Sequence, residues 1–213
     1  MITCIVSKRL SESPLDDHHA LRRFAAQLVA YVCHTYNGTY PVLQQRVTKT
    51  LLRAFLDPNK PIGTYYGAIV GLAGLGDQVV GILLRPNVKA FTTNCLEKNK
   101  SGSDGGGNVT AVTLTGTEKR DKDLVIELLV DVLHKHILTE YEQTERFVLN
   151  KDPASVTRPT LQQLEYEFTD AFGVEYGAKV AGLVDASLSA RNSNVSKSQG
   201  KKRATVQNDM DVD

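Results

Sequence analysis

Residues 61–76 read PIGTYYGAIVGLAGLG, an apolar run rich in glycine and without a charged side chain. A surface helix needs a polar face toward water, so a helix that is apolar almost all round must be covered by protein on most sides. Four of its glycines, Gly67, Gly71, Gly74 and Gly76, each cost about 1 kcal/mol of helix stability relative to alanine. Close approach of a neighbouring helix backbone is the simplest compensation. The run therefore predicts an internal layer in a stack of helices.

Helical patterns lie on both sides of this run. Two helices are predicted before it, at about 17–36 and from Pro41 to about Leu56, and one after it at about 77–97, bending before Pro86. A shift of 44 positions places the predicted inward residues of the first helix onto those of the glycine-rich run, namely Leu21, Phe24, Ala25, Leu28 and Val29 onto Tyr65, Ala68, Ile69, Leu72 and Ala73. A helix pair that repeats every 40 to 47 residues, roughly, is typical of HEAT or armadillo proteins.

The rest of the chain extends this pattern. Further helices are predicted at about 122–147 and 160–188, the second with a bend near 172–177 where glycines interrupt it. A Gly/Ser-rich insert at 99–120 and a polar tail at 189–213 are predicted to be disordered. The predicted fold is an all-α HEAT-repeat α-solenoid of antiparallel helix pairs, with one domain over 1–188.

Composition and charge narrow the function classes. The chain is 41% hydrophobic and 23% charged, which is ordinary for a soluble domain. Cys4, Cys33 and Cys95 fit neither a disulfide framework nor a zinc spacing, which favours free thiols in a reducing compartment. No signal peptide or membrane span is predicted. Positions 1–98 carry 11 basic against 6 acidic residues, whereas 121–185 carry 6 against 13, so one end is basic and the other acidic.

No residue pattern indicates catalysis or ligand binding. The glycines of 71–76 close a helix rather than open one, which argues against a dinucleotide site. The pairs His18/His19 and His134/His136 present no shared metal face and are expected to be solvated. Glu140, Glu142 and Glu145 are expected to form an exposed acidic face without a positioned partner. The prediction is therefore no enzyme, no cofactor, no metal and no small-molecule ligand.

Four blocks of sequence carry a family resemblance. In order and spacing, ITCIVSKRL at 2–10, HHALRRFAAQLVAYVC at 18–33, RVTKTLLRAF at 46–55 and YYGAIVGLAGLG at 65–76 resemble the C-terminal HEAT domain of the sixth TBP-associated factor family. A looser similarity continues to about Leu188. The family's histone fold and earliest HEAT helices have no counterpart here, and the apolar face of Ile2, Ile5, Val6 and Leu10 agrees with that, since an end repeat normally has a polar outer cap. The chain is therefore interpreted as a fragment, a short isoform or an incomplete gene model.

The resemblance implies a noncatalytic scaffold subunit of TFIID, and in some lineages of SAGA, that supports RNA polymerase II initiation in the nucleus. Expected partners are other TBP-associated factors and complex subunits, with weak or indirect DNA contact and no membrane contact. KKR at 201–203 is a candidate nuclear-targeting element. Candidate interface residues on outward helix faces are Arg22, Arg23, Arg46, Lys49 and Arg53. Two alternatives remain open, namely an unrelated HEAT or armadillo adaptor, for instance in transport, and a small helical enzyme.

Overall fold

A computed structural model describes residues 1–10, 18–97, 116–150, 161–174 and 176–190. The regular structure in these ranges is entirely helical, which confirms the predicted all-α class for the described part. The elements are α1 (Ile2–Val6), α2 (His18–Thr35), α3 (Pro41–Leu56), α4 (Ile62–Gly74), α5 (Asp77–Val79), a π-helix (Val80–Leu84), a 3₁₀ turn (Arg85–Asn87), α6 (Val88–Phe91), a second π-helix (Thr92–Glu97), α7 (Gly116–Asn150), α8 (Leu161–Phe172) and a segment at 176–190 that we name α9.

Prolines and glycines mark several of the helix boundaries. Pro41 begins α3, and Gly76 and Gly173 follow α4 and α8 with φ angles of 120° and 91°, which favour glycine. The predicted bend near Pro86 is a 3₁₀ turn between the first π-helix and α6. Helix α7 starts at Gly116, inside the predicted insert, and α9 runs two residues into the predicted tail. The remainder of the insert and of the tail lies outside the described residues.

Helix α4 occupies the middle of the packed helices. It contacts α1, α2, α3 and α7. Eight of its thirteen residues are buried, namely Thr64, Tyr65, Tyr66, Gly67, Ala68, Ile69, Gly71 and Leu72. This burial confirms the prediction of an internal layer. It also explains the composition of α4, because a helix with neighbours on several sides has little polar face to present to water.

Three glycines of α4 let different neighbours approach. A Cβ at Gly67 would overlap the carbonyl oxygen of Ile5 in α1. A Cβ at Gly71 would lie 2.8 Å from Cδ1 of Leu51 in α3, and one at Gly74 would lie 3.3 Å from Cβ of Ala30 in α2. Only at Gly67 is the obstacle a backbone atom, so the predicted close backbone approach is realised there, whereas the other two glycines meet side chains.

The orientation of α2 differs from the prediction. Its buried face consists of Arg22, Ala25, Ala26, Val29, Ala30 and Cys33. Leu21, Phe24 and Leu28, predicted to face the core, are 47%, 58% and 37% exposed. The prediction treated the large apolar residues as the inward set. Instead, small alanines line the contact because they let α4 come close, and the large side chains lie on the opposite face.

Tyr65 ties α4 to the end of α3 through a buried hydroxyl. Its Oη donates to the carbonyl oxygen of Asp57 at 2.8 Å. Burial, and to a smaller degree the neighbouring Cys95 thiol, raise the pKa of Tyr65 well above its usual range. The ring also meets Phe91 edge-on, with centroids 5.2 Å apart, so the hydroxyl is held among apolar groups that disfavour the phenolate.

We expect this hydroxyl to make the fold sensitive to alkali. The folded-state pKa of Tyr65 lies above the unfolded value near 10, so its stabilising contribution is complete below about pH 10 and falls as pH rises, by about 1.4 kcal/mol per pH unit. Urea unfolding of the wild type and of Tyr65→Phe between about pH 9 and 11 measures this. The wild type should lose more stability than the variant above pH 10, and parallel curves would contradict the assignment.

Candidate functional site

Three predicted interface residues form a basic ridge on α3. Arg46, Lys49 and Arg53 are exposed and spaced at i, i+3 and i+7, so they lie along one side of the helix. Helix α3 contains no Asp or Glu. No carboxylate lies within ion-pair distance of the three side chains in the described part of the chain. We call these residues the α3 ridge.

Arg22 does not face outward, so its predicted orientation is wrong. The residue is 1% exposed. Its Nη1 donates to the carbonyl oxygen of Ile5 at 2.6 Å and its Nη2 to that of Ser7 at 2.8 Å. These carbonyls lie at the C-terminal end of α1, where no further helical turn provides donors. Burial lowers the pKa of Arg22 from its usual value. The side chain is a structural cap for α1 rather than a contact surface.

Arg23 is exposed, but its guanidinium group makes a hydrogen bond within the chain. Its Nη2 donates to the hydroxyl oxygen of Tyr66 at 2.6 Å, which joins α2 to α4. The Tyr66 ring also packs against His19, with centroids 4.3 Å apart. Arg23 therefore has a structural role in addition to any contact with a partner. Of the predicted interface residues, those of the α3 ridge are the more accessible.

Two grooves border the α3 ridge. The first has a volume of about 620 Å³ and is mainly apolar, with lining residues that include Ile2, Tyr40, Val42, Leu43, Arg46 and Val47. The second has a volume of about 510 Å³ and is more polar, with Gln44, Gln45, Thr48 and Lys49 among its lining residues. The ridge thus contributes a cation to each groove.

A cluster of possible metal ligands joins α2 to α7. His18, His19 and Asp121 each offer a ligand atom, and these atoms lie within 4.8 Å of one another. His19 Nε2 is 3.5 Å from Asp121 Oδ1. However, Arg22 Nε lies 3.4 Å from His18 Nδ1 and contacts it as a donor, which places a positive charge where it would repel a cation. The cluster is better explained as a polar junction between two helices.

His136 also departs from the expectation of solvated histidines. It is 9% exposed, and its Nδ1 lies 2.7 Å from Asp77 Oδ1 at the start of α5. A Cβ at Gly81 would lie 2.8 Å from the imidazole ring, so the ring packs directly on that backbone. The histidine therefore links α7 to the α5 corner. Asp77 is 59 positions away in sequence, and no local pattern indicates the pairing.

Glu140, predicted to lack a positioned partner, belongs to a three-residue clamp. Arg85 Nε and Nη2 donate to the two carboxylate oxygens of Glu167 in α8 at 2.8 and 2.7 Å. Its Nη1 donates to Glu140 Oε2 in α7 at 3.1 Å. Hydrogen bonding to Glu167 raises the pKa of Arg85. The clamp and the Lys89–Asp170 pair bring basic residues of 77–97 onto the acidic helices, so part of the predicted charge asymmetry is neutralised within the chain.

We expect Arg85→Ala to loosen the packing of α8 and to lower the free energy of unfolding by about 1 to 2 kcal/mol. A bidentate pair with a mostly buried guanidinium contributes more stability than an ordinary surface ion pair does. A double-mutant cycle with Glu167→Gln, measured by urea unfolding, isolates the interaction. Lys135→Ala is the matched control, since its pair with Asp131 lies within one helix and is largely exposed. Equal losses for Arg85 and Lys135 would contradict a clamping role.

Comparison with known proteins bears on the first part of the chain. A family model described as the TAF6 C-terminal HEAT repeat domain matches residues 1–89, which extend from α1 to the start of α6 and include the α3 ridge. Over this segment the chain is similar to the TAF6 C-terminal HEAT repeat family. The HEAT-repeat class inferred from the 44-residue shift is thereby confirmed, although Leu21, Phe24 and Leu28 were assigned to the wrong face.

Curated relatives of the TAF6-type region come from distant eukaryotes. The Taf6 subunit of SAGA and TFIID from Schizosaccharomyces pombe is 45% identical over 92 residues, covering 43% of this chain and 20% of that protein. TFIID subunit 6 of Arabidopsis thaliana is 45% identical over 91 residues, covering 43% and 17%. TFIID subunit 6 of Drosophila melanogaster is 38% identical over 104 residues, covering 48% and 17%. The chain thus spans a fifth or less of the length of these relatives.

In the described ranges, no helix of the chain is both long enough and apolar enough to cross a membrane. The described cysteines carry no disulfide, since Cys33 and Cys95 are buried free thiols and Cys4 is a partly buried one. Burial raises the pKa of Cys33, which disfavours its thiolate form and reactivity.

Proposed function

We propose that this chain is a noncatalytic scaffold subunit of the general transcription factor TFIID, and of SAGA where the two complexes share the subunit. It would support assembly of the RNA polymerase II preinitiation complex in the nucleus through contacts with other TBP-associated factors. The observation that carries the proposal is the family match over residues 1–89, because this range contains α4 and three of the helices packed on it, α1, α2 and α3. The S. pombe relative is named as a subunit of both complexes.

The geometry is consistent with a shape-based role. Side chains of the types that carry chemistry in other proteins, namely His19, His136 and Glu140, here each join one helix to another. A stack built in this way offers helix faces and grooves to partners. We propose the α3 ridge as one contact surface and Arg23 on α2 as a separate candidate. Arg22 is left out, because its guanidinium is hydrogen-bonded to α1.

Any DNA contact should be weak and sensitive to salt. Because the α3 ridge presents three exposed cations, the logarithm of the binding constant should fall with the logarithm of the salt concentration with a slope of about −3 or shallower. Fluorescence anisotropy with a labelled promoter duplex, read from about 0.05 to 0.2 M salt, measures this slope. Sequence-specific binding that survives physiological salt would contradict the expectation.

The competing function is that of an unrelated HEAT adaptor, for instance in transport. Affinity purification of the tagged full-length protein, followed by quantitative mass spectrometry, separates the two. We expect TBP and its associated factors to be enriched together. Recovery of transport receptors without any of these factors would overturn the proposal. Arg22→Ala should reduce recovery because it destabilises the stack. Arg120→Ala, a substitution at an exposed position of α7 outside the α3 ridge, is the matched folded control.

A further inference from the structure

The α3 ridge and its apolar groove form one continuous surface. Arg46 belongs both to the ridge and to the groove lining. At the entry to the groove, Tyr40 and Val42 are 62% and 57% exposed. A partner that reaches Arg46 from solvent therefore also meets exposed apolar area. Such area, rimmed by polar groups, is typical of a protein interaction site.

The charge of the ridge defines the partner's polar side. Three cations fall within about 10 Å along the helix axis, since seven positions rise by about 1.5 Å each. Helix α3 offers them no carboxylate, and its described neighbours place none within ion-pair distance. The cations repel one another, so carboxylates supplied from outside the chain would relieve that repulsion and gain charge-assisted hydrogen bonds.

The groove defines the partner's apolar side. Leu43 and Val47 lie at its base, Val47 being 3% exposed. A volume near 620 Å³ accommodates one or two aliphatic or aromatic side chains. We propose that this surface binds an acidic amphipathic peptide, whose carboxylates follow the α3 ridge and whose apolar side chains enter the groove. We infer that the peptide is helical, because a helix can place carboxylates along one side to match cations spaced at i, i+3 and i+7.

A protein partner explains more of the surface than a nucleic acid does. Phosphates would use the three cations, but they would leave Tyr40 and Val42 exposed and the groove empty of apolar contacts. An amphipathic acidic helix uses both parts. The inference rests on the proposed scaffold function only in supposing that this chain binds other proteins, and it is tested with the purified chain alone.

The probe is a short fluorescein-labelled helical peptide of Glu, Asp, Leu and Phe in amphipathic register, titrated with the full chain by anisotropy in about 0.1 M salt. Reversing the ridge, with Arg46→Glu, Lys49→Glu and Arg53→Glu together, should weaken binding at least about tenfold. Tyr40→Ser with Val42→Ser should weaken it about threefold or more. Lys119→Glu with Arg120→Glu on α7, also exposed, is the matched control and should change affinity less than about twofold.

Each alternative occupant gives a different result. A peptide with Gln and Asn in place of Glu and Asp that binds equally well would overturn the charge argument. A short DNA duplex that binds as tightly as the peptide, with no effect of the groove substitutions, would make the ridge a nucleic-acid surface and overturn the proposal. The proposal would also be overturned if the peptide did not bind detectably, or if reversing the ridge reduced peptide affinity no more than the α7 control does. Because all substituted side chains are exposed, circular dichroism should show every variant folded. Complex recovery in the affinity purification is independent of these outcomes.

Discussion

Gly67→Ala should destabilise the chain by about 2 to 3 kcal/mol, although alanine is the better helix former by about 1 kcal/mol. The added Cβ would overlap the carbonyl oxygen of Ile5 and lie 2.9 Å from its carbonyl carbon. A backbone obstacle cannot rotate away as a side chain can. Helix α1 must therefore move, and Ile5, which is fully buried, loses part of its packing against α4.

Thermal and urea unfolding of Gly67→Ala test this expectation beside two matched glycine substitutions. Gly38→Ala should change stability by less than about 0.5 kcal/mol, because a Cβ there meets nothing within 4 Å. Gly71→Ala should fall between the two, since its obstacle is the end of the Leu51 side chain, which can shift at some cost. A Gly67→Ala protein as stable as the wild type would show that α1 does not pack on α4 in this way.

Arg22→Ala should cost about 3 kcal/mol. The substitution removes two charge-assisted hydrogen bonds and leaves the carbonyl oxygens of Ile5 and Ser7 without these donors at a site where Ile5 is buried. It also removes the packing of a side chain that is among the largest fully buried ones in the described part of the molecule. Loss of this cap should detach the end of α1 first.

The control for Arg22 is Arg53→Ala, the same change at an exposed position of α3, which should alter stability by less than about 0.5 kcal/mol. Urea unfolding of both variants gives their free energies of unfolding for comparison. The rate of tryptic cleavage after Lys8 and Arg9 reports local release of α1. Similar unfolding free energies for the two variants would contradict a capping role for Arg22.

The sequence predicts the helices well because their signals are local. The apolar, uncharged character of 61–76 predicts the buried position of α4, and the prolines and glycines at Pro41, Gly76, Pro86 and Gly173 mark helix ends and the bend. These features depend on residues within one or two turns of each other. Local backbone chemistry is therefore enough to place them.

The facing of α2 could not be predicted in the same way. Both of its sides are apolar, one through Ala25, Ala26 and Ala30 and the other through Leu21, Phe24 and Leu28. Which side is covered depends on where α4 lies, and this is set by contacts about 40 positions away. Counting large apolar residues selects the wrong side, and it turns Arg22 outward. Arg22 lies on the same face of α2 as these alanines. An arginine in that position was the sequence signal that could have indicated a buried cap for α1.

The candidate site was predicted only in part. The α3 ridge follows from helical spacing, because Arg46, Lys49 and Arg53 fall opposite Val47, Leu51 and Phe55. The groove beside the ridge requires the position of Ile2 against α3, which sequence spacing does not give. The same holds for the pairs His136–Asp77 and Arg85–Glu167, whose members are 59 and 82 positions apart.

The buried middle position of α4 underlies the glycine and arginine effects and the placement of the α3 ridge on an outer helix. Hydrogen–deuterium exchange of the full chain, resolved by peptide, tests that position most directly. Amides of 65–72 should be among the slowest to exchange in the described part of the molecule, and Gly67→Ala should accelerate α1 before α4. Exchange across 65–72 as fast as in α8, where six residues are exposed, would contradict it.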